Sequence, residues 1–237
     1  MLKEFVEKLV SLKDNKLYEI HGETYSDNSL IRIEKHIDRP RELCVYSLDS
    51  LVELIKSESH LVGKKVYVQI EAYNKVNVFT TYDDTFKRDF LYNAVYDGPK
   101  VDFGWKSHEE TMIKLRSNYV HNEGIDYLLN ILSRITDENS ITSRDNGITQ
   151  EVEARRGVSL ASKEVIKPKV SLIPYRTFLE AKQPESEFLV RLREGGQIGL
   201  FEADGGMWQL TAKQNIKEYF DSHLKDLIEN DTVVVMC

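Results

Sequence analysis

The sequence predicts an α+β fold: antiparallel sheets with several helices, and a β-rich C-terminal half closed by one long helix. Three observations carry that prediction. Short stretches with apolar residues at helical spacing stand apart from stretches with period two, and the two kinds do not alternate as strand–helix–strand units. The interval from Thr136 to Leu210 has no helical signal, so its length must be taken up by strands or an ordered arm. The strongest amphipathic face near the C-terminus follows that interval.

In chain order, Leu2, Phe5, Val6, Leu9 and Val10 share one helical face and predict a short first helix. From Leu17 to Ile33 apolar and polar residues alternate around His21-Gly22 and Asp27-Asn28, which predicts short strands joined by tight turns. A second helix follows, with Ser47 or Ser50 as its cap, Glu53 closing a capping box with Ser50, and Leu48, Leu51, Val52 and Ile55 as the buried stripe. From Lys65 the period becomes two. Val66, Val68 and Ile70, a Tyr73-Asn74 turn, then Val76 and Val78 predict a hairpin. Phe86 to Tyr96 makes a third strand, ending at Asp97-Gly98-Pro99, where Pro removes a ladder donor and Gly permits the turn. Three consecutive strands predict an antiparallel meander. Ser107 with Glu110 opens a third helix containing Met112, Ile113 and Leu115; Ile125, Leu128, Leu129, Leu132 and Ile135 mark a fourth, from Glu123 to Ile135.

Beyond it, strands are expected at Ile148 to Ala154, Val165 to Leu172, Phe188 to Leu192 and Ile198 to Glu202. Gly195-Gly196 and Gly205-Gly206 read as hairpin turns, the second pairing Gly199–Glu202 with Met207–Leu210. Thr211 and Gln214 then form a capping box for the final helix, whose face is Ile216, Tyr219, Phe220, Leu224, Leu227 and Ile228. Val233, Val234 and Val235 read as a closing strand. This gives an N-terminal α+β lobe over 1–135 and a β-rich lobe over 136–237 with an extended arm and the C-terminal helix, two lobes that also fit one continuous domain.

Composition bounds function. Of 237 residues 41% are apolar, with 12 Tyr, 9 Phe and 2 Trp, enough to build a packed core rather than a disordered chain. A formal net charge of -7 argues against a general duplex-DNA binder, whose basic face would dominate the balance. Lys3, Glu4, Glu7 and Lys8 interrupt the apolar core a signal peptide needs, and no apolar run approaches the roughly 18 residues of a membrane span. A cytoplasmic location and no membrane partner are therefore expected. Cys44 and Cys237 are too few for a disulfide framework and match no metal-binding spacing.

Motifs for chemistry are sparse. A phosphate-cradling loop needs glycines at a strand-to-helix junction followed by Lys-Ser/Thr or spaced as GxGxxG, and neither pattern occurs. His21, His36, His60, His108, His121 and His223 form no HxH or HxxxH pair. His108 reads as a residue of a helix first turn and His223 as a boundary histidine of the last helix. Asp83-Asp84 and Asp145-Asn146-Gly147 are explained by turn chemistry. No GxSxG elbow surrounds a serine. The expectation is therefore no catalytic residue, no metal, no cofactor, and a protein that is not an enzyme.

The sharper signal is charge. Arg155, Arg156, Lys163, Lys167, Lys169 and Arg176 lie between Val152 and Arg176 against only Glu153 and Glu164, a local net charge of 6 − 2 = +4 in an acidic chain. Such a cluster suits an anionic ligand such as a nucleotide or single-stranded nucleic acid, with Tyr175 or Phe178 to stack a base; it equally suits an acidic patch on a neighbouring subunit, or a solvated strand face. Ser159 to Phe178, with Pro168 and Pro174 and an alternating apolar pattern, suits an arm reaching over another surface, which makes homo-oligomerisation the economical expectation.

Several segments resemble a known family. Leu115 to Ile135, Asp145-Asn146-Gly147-Ile148-Thr149-Gln150 and Val152-Glu153-Ala154-Arg155 are similar to the centre of the YfdQ-like phage and prophage proteins. Thr177-Phe178, Gln183-Pro184, Phe201-Glu202-Ala203-Asp204-Gly205-Gly206 and Asn215-Ile216-Lys217-Glu218-Tyr219 are similar to their end. The resemblance covers roughly the last half of the chain; the first hundred or so residues match only in element order. It implies a phage or prophage accessory protein near replication, recombination or counter-defence functions, and it carries over no site residues. The expected function is thus a non-enzymatic, self-assembling accessory protein, the alternative being a nucleic-acid or small-nucleotide binder.

Overall fold

The computed structural model describes residues 2–11, 16–26, 32–33, 39, 41–135, 140–145, 150–156, 159–193 and 197–237. The chain divides into two compact units, Met1–Pro40 and Arg41–Cys237. In the first unit α1 (Leu2–Ser11) follows the expected amphipathic pattern. There β1 (Leu17–Ile20), β2 (Glu23–Ser26) and β3 (Arg32–Ile33) form an antiparallel sheet in that order. Ile20 faces Glu23 across a two-residue turn in which His21 and Gly22 both take left-handed backbone, φ 52 and 80. Turns of that hand match the twist of the strands they join. The turn expected at Asp27-Asn28 lies outside the described residues.

The second unit opens with β4 (Leu43–Val45) and α2 (Leu48–Val62). Ser47, not Ser50, caps the helix: Ser47 Oγ accepts from Ser50 N at 3.1 Å, which leaves Glu53 beyond the cap. The meander is present as β5 (Val66–Ala72), β6 (Lys75–Thr80) and β7 (Phe90–Val95). Its third strand begins at Phe90 rather than Phe86, because Asp83 folds the preceding residues into a loop. Asp83 Oδ1 accepts from Thr85 N at 2.8 Å and from Lys87 N at 3.0 Å. Next come β8 (Gly104–Lys106), α3 (His108–Ser117) with the expected Ser107 cap, β9 (Tyr119–Val120) and α4 (Glu123–Ile135).

The interval without helical signal holds six described strands. β10 (Ser140–Asp145), β11 (Gln150–Arg156) and β12 (Ser159–Ile166) form their own antiparallel sheet. β13 (Lys169–Pro174), β14 (Ser186–Arg193) and β15 (Gln197–Glu202) follow. The single strand expected from Val165 to Leu172 is cut at Lys167-Pro168 into β12 and β13, which lie in different sheets; Pro168 has no N–H with which to continue a ladder. Arg193 pairs with Gln197, so β14 and β15 form the expected hairpin, although its Gly195-Gly196 turn is outside the described residues.

The hairpin expected after Gly205-Gly206 is absent. Trp208 to Leu210 belong to α5 (Trp208–His223), so Gly205-Gly206 precedes a helix, and Thr211 is helix interior rather than a cap. The physical reason is Asp204, whose Oδ1 accepts from Gly206 N at 3.1 Å and whose Oδ2 accepts from Trp208 N at 3.3 Å. After α5 the chain makes the short α6 (Lys225–Glu229) and the expected closing strand β16 (Val233–Met236).

Two five-stranded sheets organise the unit, in the orders β16-β5-β6-β7-β4 and β8-β15-β14-β13-β9. Each takes strands from both sides of residue 136. In the first, the antiparallel meander is flanked by parallel pairings, β16 with β5 and β4 with β7. Its core joins Leu48, Leu51 and Ile55 of α2 to Val68, Ile70 and Val78 of the strands and Ile216 and Phe220 of α5. The second core joins Leu115 of α3 and Ile125, Leu128 and Leu132 of α4 to Leu172, Phe188, Val190 and Ile198. Each fully buried Phe or Leu contributes roughly 2–3 kcal/mol.

Several apolar residues of the expected arm are used within the chain. Val170 and Leu172 lie in the second core and Phe178 in the first. Phe178 sits in the loop from Tyr175 to Glu185, which joins β13 to β14 of the second sheet and reaches across to the core of the first. In that loop Glu180 Oε1 accepts from Leu48 N at 3.1 Å at the start of α2, and Lys182 O accepts from Asn215 Nδ2 at 2.7 Å on α5. Among the described residues no helix is long and apolar enough to cross a membrane.

Candidate functional site

The six cations expected to act together are dispersed. Arg155 and Arg156 end β11 and Lys163 stands on β12, opposite Glu153 in register. Lys167 is exposed, its Nζ 4.9 Å from the centre of the Tyr127 ring. Lys169 Nζ meets Glu187 at 2.8 Å across β13 and β14. Arg176 is buried, only 6% exposed.

Arg176 is the centre of the most elaborate polar arrangement described. Its loop is held by the buried Gln183, whose Oε1 accepts from the backbone N–H of Arg176 at 3.1 Å and of Thr177 at 3.3 Å. Gln183 Nε2 donates to the carbonyls of Phe178 and Ala181 at 2.9 and 3.2 Å. Thr177 Oγ1 donates to Tyr73 O at 2.5 Å, tying the loop to the β5–β6 turn. The Arg176 guanidinium forms an ion pair with Glu202 at the end of β15, donates to Ser186 Oγ at the start of β14, and lies 3.9 Å from the centre of the Trp208 ring. Ser186 in turn donates to Asp204 Oδ2 at 2.7 Å. Arg176 Nε alone is buried with no hydrogen-bond partner among the described residues.

Burial lowers the Arg176 pKa against the pull of Glu202 and Asp204. At Asp204, burial pushes the pKa up, but hydrogen bonds from Ser186, Gly206 N and Trp208 N, together with Arg176, outweigh it and hold the carboxyl below its usual range. One cation therefore meets two carboxylates, which leaves no uncompensated positive charge at Arg176.

Arg176 also forms part of the wall of a cavity of about 250 Å³. Its apolar walls are the rings of Tyr73, Tyr96, Phe103 and Trp208, with Glu202 beside Arg176 and Asn74, Asp97 and Lys100 among the polar lining. Tyr73 meets Trp208 edge-on, centroids 4.7 Å apart. Tyr96 is placed by Gly98: a Cβ there would sit 2.2 Å from the Tyr96 ring, so the ring can fold back over the backbone only because the residue is glycine. Burial raises the Tyr96 pKa, which keeps the phenol neutral.

Of the expected site residues, only Arg176 belongs to this site. Sequence reasoning missed Trp208, Tyr73, Tyr96, Ser186, Glu202 and Asp204, which come from four separate stretches of the chain. The one local signal was Asp204-Gly205-Gly206 before Trp208, an Asp positioned to cap a helix just after a strand. The other residues weighed for chemistry have structural partners. His108 Nε2 contacts Leu132 O at 2.8 Å, and His223 Nδ1 contacts Tyr219 O at 2.8 Å with its ring stacked on Tyr219. Asp83 holds its own turn. Asp145 ends β10, and the rest of its expected turn is outside the described residues. Among the described residues no group of His, Cys, Asp and Glu is placed to hold a metal ion. No family model, no curated protein and no solved structure matches this chain.

Proposed function

We propose that this is a non-catalytic binding protein whose cavity at Arg176 takes a neutral, planar heteroaromatic ring of nucleobase size. The observation that carries the reading is the cavity itself, in which the rings of Tyr73, Tyr96, Phe103 and Trp208 surround a guanidinium held by Glu202 and Ser186. The charge on Arg176 is matched by Glu202 and Asp204, so the cavity carries no excess positive charge, which favours a neutral ring over a phosphate. Its volume, just under the roughly 300 Å³ at which drug-sized pockets begin, suits one ring system. Four aromatic side chains supply stacking surface, and Asn74, Asp97 and Lys100 supply both donors and acceptors for a ring edge.

Calorimetric titration with nucleosides tests the reading. Saturable binding is expected, weakened about ten-fold or more by Trp208→Ala. Absence of saturable binding to any nucleoside overturns it. The resemblance to YfdQ-like proteins supports an accessory role of phage or prophage origin in the host cytoplasm. A second reading, self-assembly into a homo-oligomer, is favoured by the loop that presents Phe86 to solvent at 83% exposure, beside the half-exposed Tyr82 and Phe90. Light scattering decides it: a mass several times the 27.5 kDa chain, reduced by Phe86→Ser, supports assembly through that loop, and a monomer removes it.

A further inference from the structure

We propose that the cavity at Arg176 receives Phe86 of a second copy of this chain, so that copies associate head to tail. The inference rests on the reading above in one respect, that the cavity takes a neutral planar ring. The phenyl group of Phe86 is such a ring, and it is the most exposed large apolar side chain among the described residues, at 83%.

The loop around Phe86 is built to hold it outward. Asp83 Oδ1 accepts from Thr85 N at 2.8 Å, Thr85 Oγ1 at 2.7 Å and Lys87 N at 3.0 Å, and Asp83 O accepts from Phe86 N at 3.0 Å. Behind the tip, the Arg88 guanidinium lies 4.0 Å from the centre of the Tyr82 ring and 5.0 Å from that of Phe79, and its Nη1 donates to Thr80 O at 3.0 Å. Left-handed backbone, φ 58, is strained at a phenylalanine, and within its own chain the ring finds no burial to offset that strain. A ring fixed in this way is preorganised for a pocket elsewhere.

The pocket has the size and chemistry for it. A cavity of roughly 150 Å³ already holds benzene, so one of about 250 Å³ admits a phenyl ring together with part of the backbone that carries it. Its four aromatic walls offer the ring edge-on and stacked contacts. Asp97, Pro99 and Lys100 of its lining are exposed, so the mouth is open to a neighbour. Placement makes that neighbour a second copy. Tyr73-Asn74 joins β5 to β6, and Tyr96 N donates to Asn74 O at 3.0 Å, which sets the cavity at one end of the meander. The Phe86 loop joins β6 to β7 at the other end, about 20 Å away along the strand. Tip and cavity therefore do not meet within one chain, and a contact between two different surfaces repeats from copy to copy into a ring or a filament. Charge agrees with this pairing. Asp84 and Lys87 flank Phe86, and Asp97 and Lys100 flank Gly98-Pro99 at the mouth; all four are exposed, so each surface offers an acid and a base to its counterpart.

Light scattering over a concentration series tests the contact. The wild-type mass is expected to rise with concentration. Phe86→Ser, which removes the tip, and Trp208→Ala or the exposed Lys100→Glu, which alter the cavity, are each expected to weaken association about ten-fold or more, and Asp84→Lys is expected to restore it beside Lys100→Glu. An equimolar mixture of Phe86→Ser with either cavity variant holds one intact tip and one intact cavity per pair, so it is expected to stop at the mass of two chains. A wild-type monomer, or association that Phe86→Ser leaves intact, overturns the inference. Association lost in Phe86→Ser but kept in both cavity variants also overturns it and leaves assembly through the loop standing. Nucleosides separate the inference from the base-binding reading, with calorimetry on Phe86→Ser reading the free cavity. Where nucleosides bind, saturating amounts are expected to dissociate the wild type, because ring and neighbour compete for one site, and association that persists overturns the inference. Tip-and-cavity pairing with no nucleoside binding supports the inference and sinks the nucleobase reading. Nucleoside binding by a chain that stays monomeric does the reverse.

Discussion

The first five-stranded sheet grows outward from a continuous meander, β5-β6-β7, whereas the second takes its edge strands β8 and β9 from residues well before the three strands they flank. Their interiors differ as well. The first core is filled by α2 and α5 and is almost wholly apolar. The second is apolar beneath α3 and α4, but at its β14–β15 end it gives way to Arg176, Ser186, Glu202 and Asp204. Buried polar groups do not add stability in proportion to their number. Their presence at the place where the connecting loop crosses between sheets marks the part of the molecule shaped by something other than packing.

The comparison can be broken most forcefully at the loop that joins the sheets. Phe178 leaves the end of β13 yet is 1% exposed within the core of the first sheet. Phe178→Ala is expected to lose about 4 kcal/mol in denaturant unfolding. A loss below about 1 kcal/mol would mean that the loop does not hold the sheets together.

The second sheet alone is addressed by Gly124 at the start of α4. A Cβ there would lie 2.1 Å from Ser171 O on β13, a backbone atom that cannot step aside. Gly124→Ala is expected to destabilise by about 2–3 kcal/mol, although alanine ordinarily favours a helix. A neutral or stabilising result in chemical denaturation would show that helix and strand are further apart than described.

Alkaline titration sharpens the contrast. Burial raises the pKa of Tyr119 in the second core, and burial with a hydrogen-bonded carboxylate raises those of Tyr92 (Glu58) and Tyr219 (Asp49) in the first. Because the folded-state values lie above the unfolded value of about 10, their stabilising effect is complete below about pH 10 and is lost as pH rises beyond it. Unfolding midpoints are expected to be insensitive to these groups up to about pH 10 and to fall above it. Tyr119→Phe should lessen the fall, and an unchanged slope would contradict its burial.

The smallest effect concerns the first sheet. Phe86 holds φ 58, a conformation that L residues adopt at a cost, and its exposed ring gains nothing from burial. Phe86→Gly is expected to raise stability by up to about 1 kcal/mol, read as a shift in urea midpoint; destabilisation would show that the ring packs against something.

What could be read in advance follows the same division. The meander, α2, α4 and the closing β16 were legible because each carries its own period over five or more residues, or, for β16, an unbroken β-branched run. β4, β8 and β9 are two or three residues long and hold no period at all, so the pairings that complete both sheets were invisible. The start of α5 was misread because Gly205-Gly206 serves a hairpin as readily as a helix entry, and the choice is made by the Asp204 carboxylate. The site was legible only at Arg176, which the sequence grouped with surface cations. Its partners lie up to 103 residues away, at Tyr73 (176 − 73 = 103), and no local pattern signals a buried guanidinium.

The most direct measurement is the Nε–Hε resonance of Arg176 in a ¹⁵N-labelled sample, assigned by its loss in Arg176→Lys and followed as nucleosides are added. A saturable shift of that resonance, matching the calorimetric affinity, is the predicted result. Saturable nucleoside binding that leaves it unmoved would contradict the assignment of the Arg176 guanidinium to ligand recognition.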